Sequence, residues 1–145
     1  MQMHISDQAI DTTALREQLF NQSAGALVTF EGWIRNHNEG RVVQALEYEV
    51  YKPLALSEGQ KIIDEVTNSI DILDVLAIHR EGYLDLGGCA VWVGVVSAHR
   101  DEAFRACRII IDEIKTRLPI WKKEHYVEGD SGWVNCERCA SHHHG

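Results

Sequence analysis

The stretch Lys115-Thr-Arg-Leu-Pro-Ile-Trp-Lys-Lys-Glu124 concentrates the side chains best suited to chemistry in this chain. Four cations, Lys115, Arg117, Lys122 and Lys123, fall within nine positions of a 145-residue chain whose formal net charge is -8. A lysine ammonium is a compact charge whose pKa moves readily on burial, which suits proton transfer or covalent chemistry. An arginine fork suits the clamping of phosphate or carboxylate. Lys115 and Lys122 are therefore the candidates for reactive roles. Cations in a last helical turn complement the negative end of the macrodipole, which accounts for Lys115 and Arg117 but not for the lysine pair beyond Pro119. An anion site accounts for both, with one lysine at a helix end and another on the segment folding back beside it.

Three further polar clusters close predicted strands: Arg35-Asn36-His37, His79-Arg80 and His99-Arg100. Loops held by a rigid scaffold commonly carry binding sites, and an anion needs cations there. Each cluster also has a plainer reading. His79 can hydrogen-bond in a core, Arg80 can be an ordinary surface residue, and Trp121 can simply pack. Glu31, Glu47 and Glu49 at period-2 spacing read as a solvated or interface face. His99-Arg100 resists the plain reading, because cations at a helix start oppose the dipole.

The elements that must hold these groups follow from hydrophobic period. A short helix follows Asp11-Thr12-Thr13, with Leu15, Leu19 and Phe20 on one face. Residues 26–34 and 42–50 alternate as strands, reading as a hairpin with a charged tip at 35–41. Helical spacing of Ile62, Val66 and Ile70 predicts a helix over 56–70. Residues 72–78 form a strand, and the nearly continuous apolar run 89–96 reads as a central strand buried on both faces. The clearest helix covers 100–117, with Ala103, Cys107, Ile110 and Ile114 as its stripe, Phe104 and Ile111 flanking it, and Ser97 or Asp101 as its cap. Tyr126 and residues 133–136 add a short strand or loop. Pro119 stops the last helix. This order predicts a single α+β domain over 1–145, two-layered, with a mostly antiparallel sheet and with 136–145 as a tail that can be disordered.

Hydrophobic residues at 45% and charged residues at 25% are ordinary for a globular chain. Acidity argues against a nucleic-acid binder, and no apolar run reaches the length needed to cross a bilayer. The first residues show no basic and apolar leader, so a cytoplasmic protein is expected. No Gly-rich phosphate loop occurs, and neither a bound cofactor nor a metal is expected. Cys89 and Cys107 read as buried thiols. Cys136-Glu-Arg-Cys139 with His142, His143 and His144 offers zinc as a lesser reading, since one C-x-x-C lacks a second ligand pair.

Several segments together resemble the large, catalytic subunit of molybdopterin synthase. They are Gly25-Ala-Leu-Val-Thr-Phe-Glu-Gly-Trp-Ile-Arg35-Asn-His-Asn, Ile78-His-Arg80-Glu-Gly, Val93-Gly-Val-Val-Ser-Ala-His-Arg100, Ala103-Phe104 and the stretch Lys115 to Glu124. The resemblance spans residues 25 to 134 in continuous order. It implies an α/β hammerhead fold with an added antiparallel part. It also implies sulfur transfer to cyclic pyranopterin monophosphate (precursor Z), forming the molybdopterin dithiolene. The donor would be the C-terminal thiocarboxylate of a small ubiquitin-like subunit, docked on a homodimer within a heterotetramer. The resemblance maps the essential lysine to Lys115 and a second lysine to Lys122. Arg35, His99 and Arg100 match pocket positions for substrate, and Phe30 and Glu124 match their neighbours. The alternative is a non-catalytic anion-binding adaptor that docks the ubiquitin-like partner and tolerates loss of Lys115. The Cys136–Cys139 motif and the His-rich tail lie outside the resemblance.

Overall fold

The computed structural model describes residues 1–136. Its axis is β7 (Cys89–Ser97), an apolar run buried along nearly its whole length. It pairs antiparallel with β2 (Ala26–Trp33) on one side and with β5 (Asp74–Arg80) on the other. A strand β1 (Gln2–Ser6) adds parallel to β5, giving a four-stranded sheet of order β1-β5-β7-β2. A strand apolar on both faces needs cover on both. Helices α2 (Lys52–Ser69) and α3 (Arg100–Arg117) cover one face, where Ile62, Ile63, Val66, Ile110, Ile111 and Ile114 meet Val75, Ala77, Val91, Val93 and Val95. The short α1 (Thr12–Leu19) covers part of the other, placing Leu19 with Leu76, Trp92 and Val96. Full burial of Ile110 makes it a reference point for the core: replacing such a residue with alanine costs about 2–5 kcal/mol.

The second sheet is built on β4 (Arg41–Val50), which runs antiparallel to both β6 (Gly82–Asp85) and β8 (Ile120–Tyr126). The two-residue strands β3 (His37–Asn38), β9 (Gly129–Asp130) and β10 (Val134–Asn135) extend it. With one parallel pairing among the described residues, the sheets are mostly antiparallel and the α+β expectation holds.

The long hairpin expected from residues 26–50 does not form. Strand β2 pairs with β7, whereas β4 belongs to the other sheet. The polar segment between them carries β3, and the tight hairpin is β3–β4, with Asn38 opposite Arg41. Its two-residue turn, Glu39 (φ 51°) and Gly40 (φ 76°), is left-handed at both positions, as the twist of such hairpins demands. Other differences are local. Helix α2 starts at Lys52 because Pro53 is tolerated in a first turn, where its missing N–H loses nothing. Strand β5 starts at Asp74. Neither Ser97 nor Asp101 caps α3: His99 holds the cap position without a side-chain bond, the Ser97 hydroxyl donates to the His99 carbonyl, and Asp101 pairs with Arg105. Phe104, read as flanking the apolar stripe, is 59% exposed.

Arg117 is taken up by structure. Its guanidinium reaches Glu65 at 2.5 Å and Glu58 at 3.1 Å on α2, and Glu113 at 3.6 Å on its own helix. Hydrogen bonding to Arg117 holds the Glu58 carboxyl below its ordinary range. Because the network is partly solvated, Arg117→Ala should lower the melting temperature less than Ile110→Ala, and the deficit should shrink in high salt. Thermal unfolding at two ionic strengths checks this.

Candidate active site

Strand register decides which of the candidate residues can meet. Trp33 pairs with Cys89 and Ala26 with Ser97, so Arg35 lies beyond the Cys89 end of β7. His79 pairs with Val91, which puts His79-Arg80 at that same end. His99-Arg100 follows Ser97 and lies at the opposite end. Helix α3 then runs back along the sheet and returns Lys115 toward the His79 end. At 1.5 Å rise per residue, the fifteen steps from Arg100 to Lys115 span about 22 Å. The chain thus brings Lys115, Lys122, Glu124 and Arg35 toward one end and leaves His99 and Arg100 at the other. Phe30 lies mid-strand, opposite Val93, packed toward the helix-covered core.

The lysine end is held by three elements. Lys115 is exposed in the last turn of α3. Leu118 ends the helix with an extended backbone, and Pro119 leads into β8, whose alternation turns Ile120, Lys122, Glu124 and Tyr126 to one face. Lys122 Nζ lies 2.9 Å from Glu124 Oε1, with side-chain exposures of 15% and 4%. Such a pair is costly to desolvate, and removing one partner from a buried pair is destabilising. Opposite Lys122 on β4 stands Tyr48, whose ring meets His79 edge-on at 4.8 Å.

His79 is buried, and its Nδ1 lies 2.7 Å from the Arg80 carbonyl. A carbonyl only accepts, so Nδ1 carries the proton. Burial pushes this imidazole down to about 4, with the Arg80 bond opposing and the nearby Lys115 charge adding to the fall. The plain reading of His79 therefore holds, with a consequence for pH. An unfolded chain takes up this proton near pH 6.5 and the folded one only near 4. Between those values the unfolded state binds more protons, so stability falls as pH falls through the window. Denaturant unfolding should show a loss of about 2 kcal/mol from pH 7 to pH 5 through this group, and His79→Gln should flatten that slope.

At the far end, the Gly25 amide donates to the Ser97 carbonyl at 3.0 Å. A Cβ on Gly25 would lie 2.3 Å from the Ala98 carbonyl oxygen, so only glycine allows β2 to hold the loop carrying His99. Asp101 and Glu102 in the first turn of α3 offset the cations there.

A family model described as MoaE protein matches residues 5–117. The chain belongs to the MoaE family. The matched span contains Phe30, Arg35, His99, Arg100 and Lys115, while Lys122 and Glu124 follow it. An Escherichia coli relative, named molybdopterin synthase catalytic subunit, is 47% identical over 110 residues, covering 76% of this MoaE-family chain and 73% of its own. A Thermoplasma volcanium relative of the same name is 42% identical over 131 residues, covering 90% of this chain and 96% of its own. The crystal structure of molybdopterin synthase from Staphylococcus aureus superposes with a TM-score of 0.84 at 36% identity, over 90% of this chain and 94% of that one. A Helicobacter pylori complex of molybdopterin-converting factor subunits 1 and 2 shares the fold, with a TM-score of 0.74 at 20% identity.

Tyr48, His79 and Asn38 complete the lysine end of this MoaE-family chain. The motif segments contain the last two, but no local pattern marks their partners. Burial pushes the Cys89 and Cys107 thiols up to about 11, consistent with unreactive thiols. Cys139 and His142 to His144 lie outside the described residues. Among the described residues, no cluster of three or more His, Cys, Asp or Glu is placed to hold a metal, and no helix is long and apolar enough to cross a membrane.

Proposed function

We propose that this chain is the catalytic subunit of a cytoplasmic molybdopterin synthase, with a single domain as its working unit. It transfers sulfur from the C-terminal thiocarboxylate of a small ubiquitin-like subunit to cyclic pyranopterin monophosphate, building the dithiolene. The observation that carries this reading is the mostly buried Lys122–Glu124 pair at the same end of the fold as Lys115, linked through Tyr48 and His79, in a MoaE-family chain. Both reactants are anions, and both lysines are cations presented at one end of the fold. Lys115, exposed at its helix end, assists proton transfer and stabilises the charge that develops as sulfur moves. Lys122 positions the terminal glycine of the donor, with Glu124 orienting its ammonium. Arg35, His99 and Arg100 bind the substrate, its phosphate included, and Phe30 borders the pocket.

The separation of about 22 Å along α3 sets Arg100 and Lys115 at opposite ends of one protomer, which supports a site shared between protomers. A homodimer within a heterotetramer resolves this, with His99 and Arg100 of one protomer facing the lysines of its partner. The test is reconstitution with thiocarboxylated small subunit and precursor Z, reading dithiolene product. Lys115→Ala and Arg100→Ala chains are each expected to be inactive alone. Co-refolded in equal amounts, they should recover about a quarter of the wild-type sites through mixed dimers. Activity of each variant but no gain on mixing would break the shared-site reading. No product from wild type in a verified complex would favour the adaptor.

A further inference from the structure

Asn38 lies in the polar loop after β2, yet it is only 8% exposed. Its amide nitrogen donates to Glu124 Oε1 at 2.9 Å and to the Tyr126 hydroxyl at 3.1 Å, bonds that close 86 and 88 residues of chain. Glu124 Oε1 is the same oxygen that Lys122 approaches. A carboxylate only accepts, so the Asn38 amide must turn its NH2 toward Glu124, and this settles its orientation. That orientation leaves Asn38 Oδ1 buried without a partner among the described residues. An unmet buried acceptor costs about 1–3 kcal/mol, which makes asparagine a poor choice here for stability alone. The surroundings are nonetheless built to keep it. Arg41 lies over the Tyr126 ring at 3.7 Å, and the left-handed Glu39–Gly40 turn places Arg41 opposite Asn38.

We propose that Asn38 is a positioning residue: its amide ties the loop that carries Arg35 to Glu124, and so fixes where Lys122 presents its ammonium. It acts through Glu124 and touches no substrate. The inference rests on the sulfur-transfer reading for its effect on turnover, but not for its effect on Lys122.

The test uses the full chain labelled with ¹³C-lysine, the Lys122 Cε resonance being assigned by its loss in Lys122→Arg. In Asn38→Ala the resonance should move toward that of the exposed lysines. In the reconstituted complex, kcat should fall by about tenfold or more, the scale of effect that small misplacement of a reacting group produces. Asn38→Ser, whose hydroxyl is too short to reach Glu124, should behave alike. A folded variant in which the Lys122 resonance stays, or in which kcat equals wild type, overturns the proposal. Failure of both variants to fold also overturns it, since Asn38 would then be structural. A wild type without turnover whose Lys122 resonance still moves in Asn38→Ala would sink the sulfur-transfer reading and leave the positioning intact.

Discussion

Lys115→Ala is expected to lose sulfur transfer by about a hundred- to ten-thousand-fold, the range typical for removing a positioned acid–base group. Stability should barely change. Lys115 is exposed at the end of α3 and holds no ion pair among the described residues, so its truncation strands nothing. The depressed pKa of His79 nearby should rise slightly, because the Lys115 charge adds to its fall. Single-turnover formation of dithiolene with a thiocarboxylated donor measures the loss, and titration of the small subunit shows whether binding persists. Equal product from variant and wild type would remove Lys115 from the chemistry.

Glu124→Ala carries the largest expected cost to the fold. It leaves Lys122 without its carboxylate at 15% side-chain exposure and takes the acceptor from the Asn38 amide. Breaking a buried pair by removing one partner costs about 3–5 kcal/mol. Chemical unfolding should show that loss, and turnover should fall with it because Lys122 loses its orientation. Glu124→Gln keeps the shape and an acceptor for Asn38 but removes the charge, so it should fold better than the alanine variant while still turning over slowly. If Glu124→Ala unfolds like wild type, the pair is solvated in solution and its structural role fails.

Much of this architecture was legible because it is local. The apolar run of β7, the stripe of α3 and the stop at Pro119 each follow from neighbours a few positions apart. The pairing of β2 was not, since choosing β7 over β4 depends on which sheet buries Val28 and Phe30, a contest between distant segments. Strand β1 is five residues with a histidine at its centre and offered too short a period to detect. The site divides the same way. Lys115 and Lys122 announce themselves by charge, whereas Asn38 matters through a bond closing 86 residues. The distance between Arg100 and Lys115 was available from counting, as both sit on one predicted helix. Grouping residues by chemical type alone hid it.

The helix that separates those two residues also constrains how the chain can change length. Each residue of α3 turns the following one by about 100° and advances it 1.5 Å. One codon gained or lost between Ala103 and Ile110 would swing Lys115 to another side of the rod and pull Ile110, Ile111 and Ile114 off the sheet. The exposed loop around Asn21 to Ser23, between α1 and β2, has no such coupling to the register of a helix. Length variation among descendants of this sequence should therefore gather in such exposed connections, and α3 should keep its eighteen residues.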